Sequence, residues 1–112
     1  MNVVFHHTED DPDFHARVTG NIENLLDDET VETDSVVLVS NGGGIALLTE
    51  DSPRRAAVED LQKRGVAFKQ CSNTLTGIDI TESDLIDGVE LVSSGVGEVA
   101  RLEAAGYVYI TP

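Results

Sequence analysis

The chain has 112 residues, enough for one domain with a hydrophobic core but not for two. It contains no run of about 18 apolar residues, so we expect no membrane-spanning helix, and its first residues lack the pattern of a secretory signal. Aspartate and glutamate total 21 against 7 lysines and arginines, a formal net charge of −14, which disfavours binding to nucleic acid or anionic lipid.

The acidic residues alternate with apolar residues along the whole sequence instead of forming one block. This distribution predicts the surface of a folded domain and not a disordered acidic tail. We interpret the charge as an adaptation to a high-salt cytoplasm, where salt screens the repulsion between carboxylates. A functional acidic surface is the alternative. One cysteine cannot form an intramolecular disulfide, which also favours a reducing, cytoplasmic compartment.

Strand and helix patterns alternate in chain order. Asp11 predicts a helix N-cap with Pro12 in the first turn, and the apolar stripe that follows extends to about residue 29. A second helix is predicted to begin at Ser52-Pro53 and to end before Gly65. Strands are predicted at residues 3–5, 35–40, 66–71, 89–92 and 107–110, and further helices at residues 82–86 and from Ser94 or Gly95 to 105.

Residues 36–39 form a continuous apolar run, which is typical of a parallel strand that is covered on both faces. Residues 45–49 are compatible with either a short helix or a loop. Alternating strands and helices of these lengths imply right-handed crossovers. We therefore predict an α/β fold, a three-layer α/β/α sandwich around a mainly parallel five-stranded sheet, as a single domain over residues 1–112.

Cys71 ends the third predicted strand, and the polar segment Ser72-Asn73-Thr74 predicts a turn after it. Ligands of open α/β sheets bind beyond the carboxyl ends of the strands. A thiol that faces backbone N–H groups there is stabilised as a thiolate and becomes reactive. The alternative is a small, inert, buried side chain.

Two glycine-containing segments follow other strands. Asn41-Gly42-Gly43-Gly44 comes after the buried second strand, as a ligand-facing loop or as a turn that needs glycine. It matches neither the dinucleotide nor the Walker A pattern. Ser94-Gly95 begins the last helix, where capping and anion binding are both possible roles. No Gly-x-Ser-x-Gly motif occurs, which disfavours a serine hydrolase.

The three histidines do not predict a metal site. His6 and His7 are adjacent on a strand and therefore point to opposite faces, and His15 lies on the first helix without a neighbouring ligand pattern. A single histidine near the thiol is still compatible with the sequence.

Several segments resemble the DsrE/DsrF-like family, nearly over the whole chain and in order. The likeness is most specific at the C-terminal end. The segments are Val3–His6, Val39–Gly42, Val66–Leu75, Ser93–Glu98 and Leu102–Pro112.

This resemblance implies a five-stranded α/β/α sheet that assembles into homo-oligomers, often trimers or hexamers. It also implies that the cysteine after the third strand, here Cys71, carries sulfur as a persulfide, with sulfur donor and acceptor proteins as partners. We expect no metal or organic cofactor. Asn73 and Thr74 are expected to donate hydrogen bonds to the anion, and residues 41–44 to form the opposite wall.

The first functional hypothesis is thus a cytoplasmic sulfur carrier or sulfurtransferase-like protein. The alternative is a non-enzymatic small-ligand-binding or interaction module in which Cys71 only packs. A flavodoxin-like nucleotide-dependent switch is disfavoured, because no aspartate ends the second predicted strand.

Overall fold

The computed structural model describes residues 1–112 and contains one five-stranded sheet. In chain order the strands are β1 (Asn2–His7), β2 (Ser35–Ser40), β3 (Ala67–Cys71), β4 (Glu90–Val92) and β5 (Val108–Ile110). Every neighbouring pair is parallel, and the order across the sheet is β4-β3-β2-β1-β5. The predicted parallel α/β fold is confirmed.

Helices connect the strands, and two short 3-10 segments lie at Gly42–Leu47 and Glu82–Asp84. The helices are α1 (Pro12–Asp27), α2 (Arg55–Lys63), α3 (Ser72–Thr76) and α4 (Gly95–Ala104). None of them is both long and apolar enough to cross a membrane.

The sequence predicted the start of α1 correctly and the start of α2 incorrectly. The start of α1 is as predicted, because the Asp11 side chain accepts a hydrogen bond from the Asp13 N–H at 2.8 Å. The predicted start of α2 at Ser52-Pro53 is wrong. Ser52 accepts hydrogen bonds from the Arg54 and Arg55 N–H groups, which form a separate turn, and α2 begins only at Arg55.

Two other predictions need correction. The segment after Cys71 is not a simple turn: residues 72–76 form α3, one short turn of helix that begins directly after β3. The helix predicted at 82–86 is shorter, because Thr81 and Asp84 form a capping box around a 3-10 turn and Leu85 is already extended. Of residues 45–49, which the sequence left open between a short helix and a loop, residues 45–47 belong to the 3-10 segment, and Thr49 forms an isolated bridge with Leu85.

The sheet separates two hydrophobic layers of unequal size. On one face α1 and α2 cover a cluster of 13 buried residues that includes Phe5, Leu38 and Phe68. On the other face α4 covers a smaller cluster: Val4, Val37, Val39 and Val99. Alternate residues of β2 therefore enter both layers, as its continuous apolar run predicted. The smaller layer packs α4 against β1 and β2.

Candidate functional site

Cys71, the last residue of β3, lies where α4 begins. Its side chain is only 6% exposed, and Gly95 at the start of α4 packs directly against it. A Cβ added to Gly95 would stand 3.2 Å from the Cys71 Cβ and 3.0 Å from the Asn41 Cβ. Only glycine permits this approach without displacing its neighbours, so Gly95, Cys71 and Asn41 form one contact at the carboxyl edge of the sheet.

Burial and hydrogen bonding act in opposite directions on the Cys71 thiol. Burial raises its pKa, but hydrogen bonds from the Gly95 N–H, the Thr74 N–H and hydroxyl, and the Asn73 N–H together lower the pKa below the ordinary value for cysteine. The donors come from the start of α3 and the start of α4. They favour the thiolate, the nucleophilic form of the side chain.

A chain of polar side chains continues from Asn41 toward the edge of the sheet. The Asn41 Oδ1 accepts a hydrogen bond from the His6 Nε2 at 2.5 Å, and the His6 Nδ1 lies 3.2 Å from the Tyr109 hydroxyl. Because an amide oxygen only accepts, Nε2 carries the proton, and in the neutral ring Nδ1 accepts from Tyr109. His6 therefore fixes the Asn41 side chain beside Gly95 and Cys71.

Thr74 connects the thiol to the glycine segment. Its hydroxyl oxygen accepts a hydrogen bond from the Gly42 N–H at 2.9 Å, in addition to bonding the Cys71 sulfur. Gly42 has φ = +57°, a conformation that favours glycine. Thr74 and Gly42 also line a cleft of about 740 Å³, with Ile45 and Ile78 among its apolar walls.

A buried ion pair also joins β3 to α4, two residues before Cys71 along β3. Lys69 on β3 donates to the Glu98 carboxylate on α4 at 2.7 Å, and Arg101 contacts the same carboxylate. Glu98 is 3% exposed, so these cations offset the cost of burying its charge. Lys69–Glu98 and Cys71–Gly95 together set the position of α4 on β3.

The structure brings together most of the residues that the sequence identified. Asn41, Gly95, Cys71, Thr74 and Gly42 are each in contact with the next in this order, and Asn73 contributes its N–H group.

Gly43 lies against Thr8 and Asp10 and lines the same cleft as Gly42 and Thr74. Two other predicted ligand residues have other surroundings, since Gly44 packs against His7 and Ser40. Ser94 serves as the N-cap of α4, with its side chain accepting from the Gly97 N–H at 3.1 Å.

Sequence reasoning missed Tyr109 and left the histidine near the thiol unassigned. Only the parallel pairing of β5 with β1 places Tyr109 beside His6, and local patterns do not give strand order. The alternation of His6 and His7 along β1 was the available signal for the histidine.

His7 belongs to a separate, buried pair on the opposite face of β1. Its Nε2 lies 2.7 Å from the Nδ1 of His15. Burial, together with smaller contributions from the nearby His15 and His6, lowers the pKa of His7 to about 4. No group of three or more histidine, cysteine, aspartate or glutamate side chains is arranged to hold a metal ion.

No known family profile and no curated protein matches the sequence. Among solved structures, the protein of unknown function MTH1491 from Methanobacterium thermoautotrophicum is similar over nearly its whole length. The two share 38% sequence identity with a TM-score of 0.92, over 99% of this chain and 98% of that one. Because identity at this level spans both chains, the protein described here belongs to the same family as MTH1491.

Proposed function

We propose that the protein is a sulfur carrier that holds sulfane sulfur as a persulfide on Cys71. The observation that carries the proposal is the convergence of donors from α3 and α4 on one buried sulfur, with a lowered pKa as the result. The resemblance of residues 66–75 and 93–98 to the DsrE/DsrF-like family supports the same role. A persistent free thiol requires a reducing compartment, and we propose the cytoplasm.

Loading requires an attack by the Cys71 thiolate on the outer sulfur of a donor. With thiosulfate, a bond forms between the Cys71 Sγ and the sulfane sulfur, the S–S bond of thiosulfate breaks, and sulfite leaves with the electron pair. The product is the Cys71 persulfide anion. The N–H groups of Asn73, Thr74 and Gly95 supply hydrogen bonds to sulfur before the attack, so the attacking form is already favoured.

The cleft beside Thr74 favours a second candidate function. A space of about 740 Å³ with apolar walls has the size of a small-molecule site. In this alternative the protein is a non-enzymatic binding module, and Cys71 only fills the contact between β3 and α4.

Intact-mass spectrometry after exposure to polysulfide or thiosulfate distinguishes the two functions. A carrier gains the mass of one or more sulfur atoms on the native protein, loses it again with dithiothreitol, and gains none as Cys71→Ser. Iodoacetamide should also label the native thiol. If the native thiol resists all three reagents while the unfolded chain reacts, Cys71 is a packing residue and the carrier function is refuted.

A further inference from the structure

The cleft lined by Gly42 and Thr74 has the chemistry of a binding site for a cation. Its floor and walls include Ile45, Ile78 and Ile80, and the carboxylates of Asp10, Asp51 and Asp79 also line it. No lysine, arginine or histidine is among its lining residues. None of the three carboxylates takes part in an ion pair, so each is free to pair with a ligand.

The neighbouring side chains do not neutralise the negative charge of these carboxylates. Asp51 accepts a hydrogen bond from the neutral Thr49 hydroxyl at 2.7 Å, which orients the carboxylate without neutralising it. Arg54 follows the cleft residue Pro53 but donates to the Thr19 hydroxyl at 2.9 Å and does not line the cleft. An apolar cleft with unpaired carboxylates complements a ligand that has an apolar body and a positive charge.

The cleft shares a wall with the thiol site. Thr74 lines the cleft and hydrogen-bonds the Cys71 sulfur, while Gly42 lines the cleft and donates to Thr74. A persulfide adds one more sulfur atom to Cys71 beside this wall. A molecule bound in the cleft is therefore next to the residue that contacts the reactive sulfur.

We propose that the cleft binds the sulfur acceptor, and that this acceptor is a small thiol bearing a positive charge. The inference rests on the proposed carrier function and adds the class of its acceptor. The acceptor thiolate attacks the outer sulfur of the Cys71 persulfide, forming a new S–S bond. The bond between Sγ and the outer sulfur breaks, and Cys71 departs as the thiolate that Gly95, Thr74 and Asn73 stabilise. The acceptor leaves as a persulfide, with no net oxidation.

The transfer test compares three small thiols of similar size on protein loaded at Cys71 and freed of excess donor. The thiols are 2-aminoethanethiol, 2-mercaptoethanol and 3-mercaptopropionate, which are cationic, neutral and anionic. Each rate of sulfur loss is divided by the rate of the same thiol with a neutral small-molecule persulfide, which removes differences in intrinsic reactivity. At low salt we expect the normalised rate of the cation to exceed that of the anion by about tenfold or more.

Two double variants with the same change in net charge test whether the preference for the cationic thiol comes from the carboxylates of the cleft. Asp51→Asn/Asp79→Asn should reduce the preference to about twofold or less, whereas Glu29→Gln/Glu103→Gln, outside the cleft, should retain most of it. Matching circular dichroism spectra and melting temperatures at the salt concentration of the assay show that both variants are folded there. Equal normalised rates, or an equal loss in both double variants, would overturn the assignment. Transfer to a basic peptide thiol but to none of the small thiols would also overturn the assignment.

A binding measurement separates failure of this inference from failure of the carrier function. In the Cys71→Ser protein, 2-aminoethanethiol should shift the amide NMR signals of Ile78, Asp79 and Ile80, and 3-mercaptopropionate should not. If the native protein cannot be loaded with sulfur although Cys71→Ser binds 2-aminoethanethiol, the carrier function is refuted and the ligand class is retained. Loading without binding or charge preference would refute the acceptor alone.

Discussion

At Cys71 the balance between burial and hydrogen bonding decides whether the side chain reacts or only packs. Burial disfavours the thiolate, and the donors of Asn73, Thr74 and Gly95 favour it. Thr74 is the donor that a side-chain substitution can remove, because its hydroxyl bonds both the Cys71 sulfur and the Gly42 N–H.

Thr74→Val should raise the pKa of Cys71 and slow its alkylation by iodoacetamide near neutral pH by roughly tenfold, the loss expected for one hydrogen bond to a charged group. Valine has nearly the same shape but no hydroxyl. Thr74→Ser keeps the hydroxyl and should alkylate at close to the native rate. The measurement is the alkylation rate as a function of pH. Equal rates for the valine and serine variants would show that the hydroxyl does not stabilise the thiolate.

His7 links stability to pH, because burial lowers its pKa from 6.5 to about 4. Between these values the unfolded chain binds more protons than the folded one, so stability decreases as the pH falls from 6.5 toward 4. The loss reaches about 3 kcal/mol at the lower end. His15, whose pKa burial also lowers, acts in the same direction.

The test is urea unfolding between these pH values in molar KCl, which screens the titrating carboxylates. His7→Asn should flatten the dependence of the free energy of unfolding on pH, whatever its effect on absolute stability. An unchanged slope in this variant would mean that His7 is not the group responsible.

Local chemistry and sheet order explain which site residues could be predicted. Asn41 directly follows β2, Cys71 ends β3 and Thr74 lies three residues after it. Parallel strands present their carboxyl ends at one edge, so the sequence was sufficient to group these residues. Tyr109 reaches the site only because β5 pairs with β1, a long-range choice that no local pattern encodes. The interaction of Gly44 with His7 was missed for the same reason.

At the scale of elements, Gly44 and Gly20 differ in the space that surrounds them. A Cβ on Gly44 would stand 2.2 Å from the His7 carbonyl oxygen, because the 3-10 segment lies against the end of β1. Gly20 lies within α1 with no atom within 4 Å of such a Cβ.

Gly44→Ala should therefore destabilise the protein by about 2 kcal/mol or more, since backbone must move to admit the methyl group. Gly20→Ala is the matched control and should stabilise by about 0.5–1 kcal/mol through helix propensity. Urea unfolding in molar salt measures both changes. A neutral Gly44→Ala would contradict the close approach of the 3-10 segment to β1.

Element order was easier to predict than element bounds. The apolar run of β2 and the Asp11-Pro12 cap are local signals, and the structure confirms both. Ser52-Pro53 has the composition of a helix start, but its hydrogen bonds form a preceding turn. Composition alone does not distinguish these two uses of the same residues.

For the whole molecule, the net charge of −14 predicts strong salt dependence. Six ion pairs are present, and several are largely exposed, so most carboxylates are left to repel one another. We expect the melting temperature to rise steeply between low and molar KCl, because screening removes this repulsion. A constant melting temperature would instead assign the acidic surface to function.

We also expect self-association. The apolar residues Val96, Val99, Ala100, Tyr107 and Tyr109 of the last helix and strand predict a contact surface there. In the structure, however, Val99 and Tyr107 pack into the smaller hydrophobic layer. Val96, Val108 and Tyr109 are the apolar residues exposed there, at 63%, 47% and 40%. Light scattering in molar salt should give at least twice the 12.0 kDa chain mass, and Val96→Asp should lower it. A monomeric native protein would contradict this expectation.

The pairing of β5 with β1 also governs the order in which the protein can fold. The two strands lie near opposite ends of the sequence, so their pairing closes a loop that contains every other element. Such non-local contacts slow folding, because chain entropy is lost before the contact forms. A growing polypeptide can build β1, β2 and β3 around Cys71 early. It acquires the hydrogen bond between Tyr109 and His6 only after residues 108–110 have been synthesised and have docked.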